Sequence, residues 1–278
     1  MEKGWDMKKV DVSICIATWN KAGYLRNTLE SIRKLDPKVN YEIVVVDDGS
    51  ADRTKQICKD FDVVYEYMDR PFLRNSAVPR NRACEIAKGK VLLMQSDDVV
   101  HMPTSWIRDY RRAIHKSHGK PPSPEIEAID TSLTPIDLLY EVPEKGVHFG
   151  ACLNVKINAA NPAASKTLRW YVNWWRITKP FFFIGSMHKD DFWAVGGNNE
   201  AFIYPGYEDD YLGNLLIALY DKPCGAGATW RNDVVGFHQN HKKRITGHQK
   251  SRVRYRNMMK TRFPQEVKEL KRKIYGEE

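Results

Sequence analysis

The sequence predicts an α/β fold in which helices flank a mostly parallel central sheet and a basic helical tail follows. Three observations lead there. The first hundred residues alternate short, continuously apolar runs with amphipathic stretches, the pattern of strands buried on both faces. Three of those runs end in polar clusters: Thr18-Trp19-Asn20, Asp47–Ser50 and Ser96–Asp98. Residues 242–273 carry 13 Lys/Arg against two acids, Glu266 and Glu269, while the rest of the chain sums to −2 out of a net +9.

Taken in order, Val12–Ala17 reads as a buried strand. Lys21–Lys34 follows as a helix with Ala22, Leu25, Leu29 and Ile32 on one stripe. Glu42–Val46 is a second strand, Asp52–Phe61 a short helix with Ile57 and Phe61 facing in, and Val63–Tyr67 a third strand. Arg80–Ala87 is a helix and Val91–Met94 a fourth strand, with Trp106–Ile114 as the next helix. Lys116–Glu144, with five prolines, is expected as a long irregular loop. Order resumes at Phe149–Val155. The stretch with Trp170, Tyr171, Trp174 and Trp175 is expected as an amphipathic helix that either packs on the core or offers an aromatic platform. After the Gly196-Gly197 turn, Leu212, Leu215, Leu216 and Leu219 stripe a helix over Glu208–Tyr220, and Val234–His241 follows a strand. The expected organisation is one domain over 1–241, with a ligand-binding half at 11–100 and an acceptor half at 101–241, and the tail at 242–278.

Composition narrows the function classes. With 42% hydrophobic and 28% charged residues the chain is globular and not disordered. Its apolar runs, such as Val91–Met94 and Phe181–Ile184, fall far short of the roughly 18 residues that span a bilayer, so no transmembrane segment is expected. Met1–Val10 is charged and lacks an apolar core, which makes the cytosol the expected location. Five scattered cysteines without C-x-x-C spacing argue for reduced thiols and against a zinc site.

In doubly wound sheets ligands bind outside the carboxyl ends of the strands, so the three strand-end clusters are expected to form one site. Each has a structural alternative. Asp47-Asp48-Gly49-Ser50 is also a turn sequence, Asp97-Asp98 a helix cap, and Glu208-Asp209-Asp210 a favourable first turn for the helix dipole. A divalent ion held by carboxylate and bridging two phosphates would neutralise a departing nucleoside diphosphate, which suits Asp97-Asp98.

Val12–Asn20 (VSICIATWN), Glu42–Ser50 (EIVVVDDGS), Pro79–Ala83 (PRNRA), Gln95–Val99 (QSDDV) and Phe192–Leu212 (FWAVGGNNEAFIYPGYEDDYL) together, in this order, resemble family 2 glycosyltransferases of the Rossmann-like GT-A fold. The resemblance implies a metal-dependent, inverting enzyme that uses a nucleotide-diphosphate sugar, UDP-linked by expectation, with Mn2+ or Mg2+. It implies Asp98 as metal ligand, with His238 completing the coordination or His241 in its place. Asp97 becomes the ribose partner, while Ser96 stands where the family has a further Asp. Asp48, with Asp47 as alternative, would accept from the base; Ala17, Thr18, Trp19 and Asn20 would line the nucleotide. Arg80, with Arg82 as alternative, would lie against base and aspartates. Asp209 would be the general base and Glu208 would orient the acceptor. Lys242 and Lys243, with Arg244, would close over the pyrophosphate. The acceptor is a hydroxyl of a glycan or glycolipid by family default. The basic tail adds a modified base in DNA as an alternative. A nucleotidyltransferase would be expected to carry a Gly-rich loop after the first strand, where Ala17-Thr18-Trp19-Asn20 stands; a non-catalytic nucleotide-sugar-binding module is the remaining reading.

Overall fold

The computed structural model describes residues 9–70, 75–117, 119–156, 166–170, 182–221, 225–239 and 247–276. Its N-terminal half follows the expected alternation: β1 (Val12–Thr18), α1 (Ala22–Arg33), β2 (Tyr41–Asp47), α2 (Thr54–Asp60), β3 (Val64–Tyr67), α3 (Ala77–Ile86) and β4 (Val91–Ser96). The four strands are parallel in the order β3-β2-β1-β4. Burial on both faces explains why β1, β2 and β4 are largely apolar, whereas β3, at the sheet edge, is VYEY with exposed ends. Ile14, Ile16, Ile43 and Val45 share one cluster with Leu25, Leu29 and Ile57 from α1 and α2. Cys15, Val44, Val46 and Met94 face the other way, onto Ala83 and Cys84 of α3.

Register fixes where the polar clusters land. Thr18 lies beside Asp47, and Ala17 lies beside both Val46 and Ser96. The carboxyl ends of β1, β2 and β4 are therefore level.

The second half adds β5 (Val99–His101), α4 (Thr104–Ser117), α5 (Pro124–Glu127), α6 (Pro135–Tyr140), β6 (Gly146–Lys156), β7 (Lys166–Trp170), β8 (Ile184–His188), α7 (Lys189–Ala194), α8 (Glu208–Tyr220) and β9 (Gly227–Gln239). Among the described residues the sheet runs β3-β2-β1-β4-β8-β6-β9-β5, with β7 paired to β6. β8 joins β4 and β6 antiparallel, β6 and β9 are parallel, and β5 returns antiparallel on β9. Strand β5, too short to read from the sequence, sets Val99 opposite His238. This places His238 beside the Asp97-Asp98 turn.

Two expectations are corrected. The proline-rich 116–144 segment is not an irregular loop. Pro124 and Pro135 start helices, where a missing N–H costs nothing. Thr134 and Asp137 form a reciprocal cap, and Ile136, Leu138 and Leu139 enter the core. Trp170, expected in a helix, ends strand β7; Tyr171, Trp174 and Trp175 lie outside the described residues.

Among the described residues the tail forms two helices, α9 (His248–Thr261) and α10 (Phe263–Tyr275). Phe263, Val267, Leu270 and Ile274 recur at helical spacing and pack α10 onto the cluster that holds Leu212, Leu215 and Leu219 of α8. The Tyr211 hydroxyl donates to Glu266 at 2.6 Å across that seam. α9 is the more basic helix, with Lys250, Arg252, Arg254, Arg256 and Lys260 and no acid. No helix among the described residues is long and apolar enough to cross a membrane.

Candidate active site

A cavity of about 250 Å3 opens at the level strand ends, walled by Ala17, Thr18, Trp19 and Lys21 from the β1 side, Ser96 and Asp97 from β4, and Asp48 from β2. Asn75, Ser76, Pro79 and Arg80 enclose it at the start of α3, and Pro205 and Glu208 at the start of α8. Seven expected site residues thus meet on one cavity: Ala17, Thr18, Trp19, Asp48, Arg80, Asp97 and Glu208.

The two aspartates after β2 part company. Asp47 is consumed by the turn: Ser50 N–H donates to it at 2.8 Å and the Tyr65 hydroxyl at 2.9 Å. Asp48 lines the cavity, and Arg70 clasps both its oxygens at 2.6 and 2.9 Å in a fork. Asn20, expected among the nucleotide contacts, instead pins two loops together. Its backbone is left-handed at φ 49°, its N–H donates to Ser50 Oγ at 2.7 Å, and its side chain accepts from Ala51 N–H at 2.8 Å. Neither Asp47 nor Asn20 reaches the cavity wall.

At β4, Thr18 Oγ1 donates to Asp97 at 2.9 Å, and the Lys21 ammonium spans Asp97 at 3.0 Å and Asp98 at 2.6 Å. Burial pushes the Asp97 carboxyl above its ordinary range; Lys21 opposes the shift and Asp98 adds to it. Burial also works against the Lys21 charge, but Asp97 and Asp98 together hold that ammonium above its ordinary value. His238 Nε2 lies 3.4 Å from the same Asp98 oxygen that Lys21 contacts. For metal–oxygen bonds of roughly 2.1 Å, neighbouring octahedral ligands lie about 3 Å apart, so Asp98 and His238 fit one divalent ion. Among the described residues no group of three or more His, Cys, Asp or Glu could hold a metal, and Asp98 with His238 makes two.

Opposite, the N-termini of α3 and α8 converge. The Arg80 guanidinium is buried at 7% exposure and donates to Asp209, with Glu208 4.0 Å away. Both Glu208 oxygens are engaged, by Ser76 Oγ at 2.5 Å and Asn75 Nδ2 at 3.2 Å. Asp209 stands differently: burial pushes its carboxyl up to about 7, against the pull of Arg80 and with the help of Glu208 and Asp210. Tyr207, the residue before α8, is left-handed at φ 72° and stacks on Tyr255 of α9 with ring centres 5.2 Å apart.

Arg82, the alternative to Arg80, turns to the other side of α3, where Glu66 accepts from it at 2.6 and 3.0 Å. It lines a larger hollow of about 640 Å3 with Trp193, Gly197 and Arg262, a space touched by none of the expected site residues. Lys242, Lys243 and His241 lie outside the described residues. Sequence reasoning missed Lys21, Arg70, Asn75 and Ser76. For Lys21 a signal existed: a cation placed directly after the first strand-end cluster, at a helix start where cations are disfavoured.

Residues 13–119 match the family model described as "Glycosyl transferase family 2". The chain is 34% identical over 118 residues to the poly(ribitol-phosphate) beta-N-acetylglucosaminyltransferase TarS of Staphylococcus aureus, covering 38% of this chain and 19% of that protein. It is 25% identical over 234 residues to validoxylamine A glucosyltransferase of Streptomyces hygroscopicus subsp. jinggangensis, covering 74% and 51%. The chain therefore spans between a fifth and a half of the length of these relatives. A structure of GalNAc-T7 with UDP, GalNAc and Mn2+ superposes with a TM-score of 0.58 at 14% identity, over 93% of this chain and 50% of that one. That likeness establishes the fold.

Proposed function

We propose that the chain, whose residues 13–119 match the glycosyl transferase family 2 model and whose fold is GT-A, transfers a sugar from a nucleoside-diphosphate sugar, UDP-linked, to an acceptor hydroxyl with inversion. The observation that carries this reading is the strand-end cavity, lined by Asp48 and Asp97 on the strand side and by Arg80 and Glu208 opposite, with Asp209, a carboxylate of raised pKa, held by Arg80 behind that wall. TarS has been crystallised with UDP, which supports the choice of nucleotide.

Asp48, oriented by Arg70, accepts from the base imino N–H, and Trp19 and Thr18 bound the nucleoside. Asp97 faces the ribose, and Asp98 with His238 would hold a Mn2+ or Mg2+ ion that neutralises the diphosphate as it leaves. Lys242 and Lys243 follow His238 closely enough in sequence to supply further positive charge to the pyrophosphate. Asp209 takes the acceptor proton. Its neighbour Glu208 is better placed as a positioning residue, since Ser76 and Asn75 already occupy both its oxygens. With Asp209 as the base and Glu208 engaged by Ser76 and Asn75, direct displacement with inversion is the reading we favour.

The deciding experiment is a panel of nucleotide-sugars with Mn2+ or Mg2+, scored by nucleoside diphosphate release with and without acceptors. UDP release that a chelator abolishes is the expected result; release only from other nucleotides, or release indifferent to chelator, overturns the donor or the metal assignment respectively.

A second reading concerns the acceptor. α9 presents five cations and no acid, and its Lys250, Arg254 and Met258 wall a groove of about 680 Å3 with Ile203 and Tyr204, just before the Pro205–Asp209 edge of the site. This favours a polyanionic acceptor, such as the ribitol-phosphate polymer named for TarS, over a neutral glycan; a DNA base is the alternative polyanion. Removing the whole tail would test this poorly, because α10 is part of the core. Reversing the exposed Arg252 and Arg256 to Glu is expected to raise KM for a phosphodiester-linked acceptor about tenfold at low salt and to flatten its salt dependence. An unchanged KM would return the acceptor to the neutral class, and stronger inhibition by DNA than by a polyol phosphate would favour DNA.

A further inference from the structure

Lys21 sits where helix physics disfavours it. It is the N-cap residue of α1, a position that prefers Ser, Thr, Asp or Asn and whose dipole repels cations. Its side chain does no capping; Asp52 accepts from Ala22 N–H at 3.0 Å and takes that role. The ammonium reaches inward instead, 2.6 Å from Asp98 and 3.0 Å from Asp97, while the side chain keeps 28% exposure. It therefore contacts the Asp98 oxygen that faces His238 at 3.4 Å, the position a divalent ion would take between those two ligands. An ammonium and a divalent ion cannot share that oxygen at contact distance, since like charges there repel across a poorly solvated gap.

Taking Asp98 as the ion's carboxylate, we propose that Lys21 is a resident counter-cation for Asp97 and Asp98, displaced when the metal binds and transferred to the donor diphosphate. Arg80 is engaged by Asp209, whereas the Lys21 ammonium contacts both Asp97 and Asp98. Its partial exposure and its place at the N-cap, ahead of the first turn of α1, give it room to swing. The ion is then held weakly by the protein alone and strongly only when a diphosphate arrives to receive the ammonium, which couples metal and donor binding.

The test is Mn2+ binding, followed by electron paramagnetic resonance of the free ion and by calorimetry, to wild type, Lys21→Met and Lys21→Arg, with and without UDP. Without UDP, Lys21→Met is expected to bind Mn2+ on the order of tenfold more tightly, because the competing cation is gone. Its UDP affinity is expected to fall, and the Mn2+–UDP coupling to shrink by a similar factor. Lys21→Arg keeps the charge and is expected to bind Mn2+ as weakly as wild type. Thermal unfolding gives a second readout: Lys21→Met should be less stable than wild type without metal and gain more from Mn2+. Equal or weaker Mn2+ binding by a folded Lys21→Met overturns the proposal and leaves the donor-site reading standing. Absence of Mn2+ binding by every protein even with UDP removes the metal site itself, and with it this role for Lys21.

Discussion

Asp209→Asn is expected to lower kcat by two to four orders of magnitude while leaving UDP affinity within a few-fold of wild type. General-base catalysis contributes roughly 10²–10⁴ to rate, and an amide cannot take the acceptor proton. Donor binding is expected to be spared because Asp209 does not line the strand-end cavity. The same carboxyl sets a pH dependence. Burial raises it to about 7, and the base must be ionised to work, so kcat/KM should rise about tenfold per pH unit up to neutrality and level off above it. Steady-state kinetics from pH 5 to 9, with UDP affinity measured in parallel, decides the matter. A wild-type rate in the Asn variant removes Asp209 as the base. A profile flat down to pH 5 would mean that the proton leaves by another route.

The residues that could be read from sequence share one physical feature: they follow buried strands whose apolar runs are unambiguous. Thr18 closes β1, Asp48 and Asp97 stand one residue beyond β2 and β4, and parallel register makes the strand ends level. The α8 carboxylates were legible because a leucine stripe marks that helix. What failed to show had a different origin. Asp47 and Asp48 are chemically identical, and only the turn's need for an acceptor at Ser50 N–H and a partner for Tyr65 separates them. Arg70 reaches Asp48 from 22 residues away, through a contact no local pattern encodes. Prolines in 121–143 read as breakers because the same residue interrupts a helix or opens one, and position decides which. β5 has three residues and exists because β9 is there to pair with it.

Arg80→Met is expected to cost both stability and activity, and the stability loss should depend on pH in a way that identifies its cause. Arg80 is buried, donates to Asp209, lies 4.0 Å from Glu208, and its charge is supported by Asp97 beyond them. Removing one partner of a buried ion pair typically costs about 3–5 kcal/mol, because the other charge stays behind without compensation. The sign follows from linkage. The Asp209 carboxyl is already raised in the folded state relative to an unfolded value of about 3.9, so wild type loses stability as pH rises from about 4, and the loss is complete above about pH 7. Without Arg80 the folded value rises further, so more of the pH range is spent paying to keep a charge buried. The deficit of Arg80→Met relative to wild type should therefore be largest at pH 8 and shrink at pH 5, where Asp209 is protonated in both proteins. Urea unfolding at the two pH values measures it. The double variant Arg80→Met/Asp209→Asn supplies the control: with no carboxylate left at 209, part of the pH 8 deficit should return. A deficit equal at both pH values, and untouched by the second substitution, would place the role of Arg80 in packing between α3 and α8 and not in charge. In that case the match between donor edge and catalytic base would rest on shape, and Arg80→Lys would be no better tolerated than Arg80→Met.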